Sequence, residues 1–504
     1  MKLKNLFMAA MATVAIVPAA NAEHLVICGT NDVHSQVDPA SDGQGGVLRH
    51  RAIFDKVRSE NKNVLVVSAG DVVQGNVYFS LYGGAVEYAA LDSLGYDIII
   101  MGNHEFDNNL DSTYYFYKDV KAEKVCTNLD LSRTKMAGLF MPYTTRLYGD
   151  KRVGFIGINV SPVGLISEKN YKGMTWIEAD KIADPTAKYL KEVQKCDYVV
   201  MISHIGYIPD APGMPCDPSV ARNSRYIDFI VGGHSHTVVE PGSEENVVKN
   251  LDGKPVVIGQ TGRWGKVVSK YDLDLETGKV TYDLIPVDSR WDEAAKKYTA
   301  MDNWIKPYRH GVDSLMTFPV AHSARKMKKS KAPLQNWTAD ASLDIIRQIS
   351  GIDHVDLCIM NKGGIRIDMP EGVISEGVIS SMFPFDNRYI VIEVTGQQLL
   401  DALNVMAKRD GDCVSDEIRA AYNDKGDITQ AKFNGRKIDP KKIYNVATID
   451  YLANGGDHMD SFKDAKRLFV DDVKYGIRVL KYVKDLEAAG KMINGKNEER
   501  MVKK

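Results

Sequence analysis

Short apolar runs, polar loops and segments of helical spacing alternate from residue 23 to about residue 290. The runs occupy 25–28, 64–69, 97–101, 153–158, 198–202 and 228–231. Strands this continuously apolar bury both faces. The segments 46–59 and 85–94 have helical spacing and follow the first two loops. Strand–helix alternation of this kind predicts an α/β domain. The stretch 262–274 reads as a closing hairpin element, and 293–315 as a polar helix leading into the basic stretch 321–331. A second α/β region then begins. Its pattern predicts helices over 334–348, 396–408 and 473–489, with strands over 355–360, 390–394 and 444–449. The pentapeptide EGVIS occurs twice in succession, at 371–380. It is too short for a solenoid and reads as a turn and strand start.

A chain of 504 residues exceeds one ordinary core. The expected division is 23–290, a connection with a helix over 291–331, and a second domain over 332–504. Net charge is −2, so nothing global draws nucleic acid or an anionic membrane. The first residues carry Lys2 and Lys4, an apolar stretch over 6–20, and Ala20-Asn21-Ala22. Residues 1–22 therefore read as a signal peptide, with the mature chain starting at Glu23 in the periplasm or outside the cell. No other run is long enough to span a bilayer, so no membrane insertion of the mature chain is expected. A monomer or weak dimer is expected. Cys28, Cys126 and Cys358 lie in apolar runs and read as packing residues. No C-x-x-C pair suggests a thiolate site. An exported chain permits a Cys196–Cys216 disulfide, which spacing alone leaves open.

The polar clusters fall where the apolar runs end. Asp32 and His34 follow the first run, Asp71 the second, and Asn103 and His104 the third. His204 ends the run 198–202, and His234 and His236 follow 228–231. Ligands of α/β sheets bind beyond the carboxyl ends of the strands, so five clusters can converge on one rim. In extended chain, Asp32/His34 and His234/His236 would each point to one side. Asp32, His34, Asp71, Asn103, His204, His234 and His236 together suit two borderline divalent cations such as zinc, manganese or iron. Such a pair stabilises attacking and leaving oxygens in phosphoester hydrolysis.

The ordered set D-x-H, GD, GNHE, H and GHxH resembles the calcineurin-like metallophosphoesterases. GNHEFD looks like their 5′-nucleotidase branch. Further on, NKGGIR (361–366), Phe383-Pro384-Phe385 with Asn387, and YLANGGD (451–457) are similar to that family's C-terminal motifs. The resemblance implies an N-terminal metallophosphoesterase α/β sandwich and a second, nucleotide-binding α/β domain. It implies one metal on Asp32, His34, Asp71 and His236, and another on Asp71, Asn103, His204 and His234. His104 would stabilise transition-state charge, oriented by Asp107. Arg366 would bind phosphate, Phe385 and Tyr451 would sandwich the base, Asn361 would bond to it, and Asp457 would take ribose hydroxyls. The implied activity is hydrolysis of nucleoside 5′-monophosphates by dimetal-activated water. UDP-sugar diphosphatase or 2′,3′-cyclic-nucleotide phosphodiesterase activity is the alternative, and a non-catalytic nucleotide-binding protein a further one. The chain departs from the family in two places. The stretch Ser330–Asn336, with Gln335 where glycine is usual, lacks an arginine that the family often carries, leaving Lys328, Lys329 or Lys331 to supply the charge, and Lys362 replaces a glycine and adds a cation near the substrate. A hinge is expected near residues 320–335.

Overall fold

The computed structural model describes residues 23–210 and 213–504. The expected signal peptide lies outside the described residues. Among those described, no helix is long and apolar enough to cross a membrane.

The apolar runs of the N-terminal half become the strands of two six-stranded sheets. The first has the order Val280–Pro286, Val267–Asp274, His24–Thr30, Val64–Ser68, Ile98–Ile99, Glu123–Lys124. The second runs Val247–Lys249, Pro255–Gly259, Phe229–Val231, Tyr198–His204, Lys151–Asn159, Tyr143–Tyr148. The inner strands of both sheets are parallel; antiparallel strands flank them on both sides of the second sheet and on one side of the first, whose other edge, Glu123–Lys124, is parallel. Leu25, Ile27, Val67 and Ile98 meet Phe155, Val200, Ile202 and Phe229 in the core between the sheets. The alternate residues face outward. Val26, Cys28 and Val66 pack under Ile53 and Phe54 of the helix Val47–Glu60 and Leu91 of the helix Ala85–Leu94. Ile156, Val199 and Met201 pack under Ala183, Ala187 and Leu190 of the helix Ala179–Glu192. Every inner strand thus buries two apolar faces, which is why the runs lack polar alternation. The stretch expected as a closing hairpin supplies the strand Val267–Asp274, antiparallel to both neighbours.

The C-terminal half has a five-stranded sheet in the order Cys413–Val414, Leu357–Met360, Ile443–Ile449, Arg388–Thr395, Lys466–Lys474. The helices Ala332–Ile349, Gly396–Ala407 and Tyr475–Ala488 share its core. Between the halves, the helix Thr299–Thr317 buries Ile305 and Val312 in the outer core of the first sheet. The next strand, Pro319–Ser323, pairs with Gly372–Ser375 of the C-terminal half. Residues 319–323 are therefore built into a sheet rather than free to act as the expected hinge.

Two expectations need correcting. The first EGVIS is a strand, Gly372–Ser375, but the second is the helix Glu376–Met382. Ser375 accepts a hydrogen bond from Val378 N–H and so caps that helix, which rests on Met316 of the helix Thr299–Thr317. Capping and tertiary contact override the shared local sequence. All six cysteines are free and buried, so Cys196 and Cys216 are not bridged.

Candidate active site

The parallel strands of both sheets end on one rim, and the polar clusters meet there. Asp32 follows His24–Thr30, Asp71 follows Val64–Ser68, Asn103 follows Ile98–Ile99, His204 closes Tyr198–His204, and His234 and His236 follow Phe229–Val231. The expected extended geometry is not how they are presented. Asp32, His34, Asp71, His234 and His236 all have left-handed backbones, with φ of 50°, 49°, 53°, 82° and 56°. Asp and His tolerate this region better than most residues, and strain of this kind concentrates at functional sites. The sharp turns direct the side chains inward where straight strands would have carried them past one another. Gly102 is required by the same crowding: a Cβ there would lie 2.2 Å from Asp71 Oδ1 and 2.7 Å from His204 Cε1.

The donor atoms converge. His34 Nε2 and His236 Nε2 face each other at 3.0 Å, and His236 Nε2 lies 3.3 Å from Asp32 Oδ1. His204 Nε2 lies 3.1 Å from Asp71 Oδ2. His234 Nδ1 is 2.9 Å from Asn103 Oδ1. Asp32, His34 and His236 form one group whose ligating atoms lie within 4.8 Å of one another, and Asp71, His204 and His234 form another. His34, Asp71 and His104 form a third between them. Asp32 Oδ1 and His204 Nε2 are buried with no hydrogen-bond partner. Burying orphaned donors and acceptors is costly unless something else binds them, and cations fit this set of nitrogens and oxygens. His204 has its Nδ1 2.6 Å from the Ala69 carbonyl, so Nδ1–H donates there and Nε2 faces the cluster.

The electrostatics follow from the crowding. Burial would raise the Asp32 carboxyl, but the His236 imidazole beside it and the field of His204 hold it at about 2. Burial would lower His204, but Asp71 and Asp32 lift it to about 10. Burial also lowers His104, yet Asp107 and Asp71 raise it above its ordinary value. His104 Nδ1 sits 2.8 Å from Asp107 Oδ2, which fixes the ring. That leaves Nε2 4.0 Å from Asp71 Oδ2.

The C-terminal half closes over this rim. A cleft of about 900 Å³ is lined by Asp71, Asn103, His104, Asp107, His234 and His236 on one side. Asn361, Arg366, Phe385, Tyr451 and Asp457 line the other. The Phe385 and His104 ring centres are 6.1 Å apart, and Arg366 Cζ lies 5.6 Å over the Phe385 ring. Tyr451 Oη is 2.7 Å from the Gly164 carbonyl and 2.9 Å from Asp457 Oδ1. Asp457 N–H donates to the same Gly164 carbonyl at 2.7 Å. The expected metal-binding, catalytic and substrate-binding residues thus reach one region, either lining the cleft or, like Asp32, His34 and His204, buried behind it.

Lys362 departs from expectation. Its ammonium turns to the Arg409 carbonyl, away from the cleft. Of the three lysines near 330, Lys329 is half-buried, while Lys328 and Lys331 are exposed. Burial, then Arg263 and Arg366, hold the Lys329 ammonium down at about 8. Two residues escaped sequence reasoning. Glu105 is buried and accepts N–H bonds from Asp71 (3.0 Å), Val72 (2.8 Å) and Gly102 (2.5 Å), tying two site loops together. Its place within GNHE was the available signal. Arg409 pairs with Asp457 at 3.3 Å, and no local pattern marks it.

Comparison with known proteins agrees with this layout. Residues 25–238 match the calcineurin-like phosphoesterase family model, and 314–464 match that of the 5′-nucleotidase C-terminal domain. The first of these implies divalent metal ions. The chain is 26% identical to a 5′-nucleotidase of Homo sapiens, covering 89% of this chain and 86% of that one. It is 25% identical to protein UshA of Escherichia coli, covering 86% of each. The crystal structure of a 5′-nucleotidase precursor from Thermus thermophilus superposes with a TM-score of 0.82 at 26% identity. That match covers 95% of this chain and 99% of the other.

Proposed function

We propose, for a chain that belongs to the family in which a calcineurin-like phosphoesterase domain precedes a 5′-nucleotidase C-terminal domain, the activity of an exported 5′-nucleotidase. Membership makes it a metal-dependent phosphoester hydrolase. The finer reading is that it converts nucleoside 5′-monophosphates to nucleoside and phosphate. The observation that carries it is the single cleft, with clustered imidazoles and carboxylates on one wall and Arg366, Phe385 and Tyr451 on the other.

The N-terminal domain is assigned to 23–290 and the C-terminal domain to 332–504. Asp32, His34, Asp71 and His236 would hold one cation, and Asp71, Asn103, His204 and His234 a second. Bound there, divalent cations supply Lewis acidity toward the phosphoryl group and a nucleophilic water at neutral pH. His104 donates a hydrogen bond from Nε2 to the phosphoryl oxygens, where negative charge accumulates. Asp107 keeps it protonated and aimed. Arg366 offers its planar fork to the phosphate. Phe385 and Tyr451 present ring faces to the base, and aromatic stacking tolerates any base. Asn361 and Asp457 take the base edge and a sugar hydroxyl. The signal peptide read from residues 1–22 would direct the chain out of the cytoplasm.

The cleft volume lies at the upper end of the usual small-molecule range of roughly 300–1,000 Å³. That room favours keeping UDP-sugars and 2′,3′-cyclic nucleotides as second substrates. The test follows phosphate from AMP, UMP plus glucose 1-phosphate from UDP-glucose, and ring-opened adenosine monophosphate from 2′,3′-cAMP, each with and without chelator, alongside metal analysis. Chelator should abolish turnover and added divalent metal restore it. Phosphate release that persists in metal-free protein would overturn the reading.

A further inference from the structure

The nucleoside end of the cleft contains a charge network that none of its motifs requires. Arg409 lies 3.3 Å from Asp457 Oδ2 through Nη1, and donates from Nη1 to the Asp457 carbonyl at 3.2 Å. Its Nη2 donates to Asp412 Oδ2 at 2.9 Å. The other Asp412 oxygen accepts the backbone N–H of Lys362, and the Lys362 ammonium donates to the Arg409 carbonyl. The loop starting at Asn361 and the loop ending at Asp457 are thereby pinned to one guanidinium. Within this network two carboxylates and two cations offset one another.

Lone-pair accounting sharpens the consequence. A carboxylate offers about four acceptor positions. On Asp457, Oδ2 accepts Asn361 Nδ2–H at 2.8 Å and faces the Arg409 guanidinium at 3.3 Å, while Oδ1 lies 2.9 Å from the Tyr451 hydroxyl, whose one proton is shared with the Gly164 carbonyl. One position on Oδ1 remains, and Asp457 lines the cleft. The backbone of Asp457 is left-handed, with φ of 53°, so its aim depends on what holds it.

Resting on the nucleotidase reading above, we infer that Arg409 is a positioning residue that sets Asp457 to accept one sugar hydroxyl, giving selectivity for ribonucleotides over their deoxy counterparts. A bidentate guanidinium spans two carboxylates in a way that an ammonium cannot. Arg409 itself need not touch the substrate.

The experiment uses the mature full chain and its Arg409→Ala, Arg409→Lys and Asp457→Asn variants. KM and kcat are measured for AMP, 2′-deoxy-AMP, 3′-deoxy-AMP and p-nitrophenyl phosphate, which has no sugar. Arg409→Ala should raise KM for AMP about tenfold, with kcat moving far less. The preference for AMP over one deoxy analogue should shrink toward unity. Loss on p-nitrophenyl phosphate should be at least about fivefold smaller than on AMP. In the Asp457→Asn background, Arg409→Ala should add nothing, because the two act as one unit. Where Arg409→Ala does not accumulate as folded protein, Arg409→Lys should show the same split at about threefold. Equal losses on AMP and p-nitrophenyl phosphate, or additive effects of the two substitutions, would overturn the inference while leaving the nucleotidase reading intact. A parent enzyme with no preference for AMP over p-nitrophenyl phosphate would remove both.

Discussion

The proposed chemistry rests on single residues at the rim. His104 is held by Asp107 through Nδ1, so the roles proposed for the two can be separated. Replacing His104 with Ala should lower kcat on AMP by about 10² to 10³, the scale for removing a transition-state donor. Asp107→Asn should cost less and should move the alkaline limb of the kcat profile to lower pH, since the imidazolium loses its counter-charge. Unchanged kcat in His104→Ala would dismiss that role. A second residue governs acid stability instead. Burial lowers His50 to about 4, and its Nε2 lies 2.7 Å from the Gly265 carbonyl. The folded chain therefore resists a proton that the unfolded chain accepts near pH 6.5. Stability from this group is complete above pH 6.5 and is lost as pH falls through 4. The loss is about 3 kcal/mol at roughly 1.4 kcal/mol per pH unit. Thermal melts from pH 7 to 4 should show a shallower decline for His50→Gln than for the parent. Parallel declines would refute the assignment.

Elements show where local sequence decides structure and where it does not. The two EGVIS copies differ in the work done by their serines. Ser375 caps the helix Glu376–Met382, whereas Ser380 lies inside it. Ser375→Ala should destabilise by about 1 kcal/mol, and Ser380→Ala should be neutral or stabilising by up to about 0.5 kcal/mol. Urea melts of both variants check the sign; identical shifts would mean that the cap contributes nothing. The strands were legible because a strand buried on both faces leaves an uninterrupted apolar run, as at Val64–Ser68 and Tyr198–His204. Site residues were legible because Gly- and Asn-flanked His and Asp at strand ends have few other uses. The left-handed turns at Asp32 and His234 were not, since conformation at Asp and His is chosen by the surrounding packing. Arg409 was invisible for a related reason: its partners Asp457 and Asp412 are assembled by tertiary structure, and a lone arginine after a helix carries no signature.

The whole molecule places its reacting groups on two halves that meet at a seam. The helix Thr299–Thr317 touches both, meeting Tyr82 of the N-terminal half at Gly311 and Gly377 of the C-terminal half at Met316, and the strand Pro319–Ser323 belongs to the C-terminal half. Tyr451→Phe keeps the ring but removes the hydroxyl that reaches Gly164. It should speed amide hydrogen exchange over 163–167 and 454–458 without changing metal content. Unaltered exchange in both segments would show that the hydroxyl does not help hold the halves together.

The Gly164 carbonyl has a kinetic implication. It is occupied by the hydroxyl of Tyr451 and the amide of Asp457, the two residues proposed to clasp the sugar and base. These bonds run through the Tyr451 hydroxyl and the Asp457 backbone, so they latch one half to the other while leaving the ring face and the carboxylate to a guest. Weakening that self-embrace should hasten capture and departure together, trading residence time for throughput.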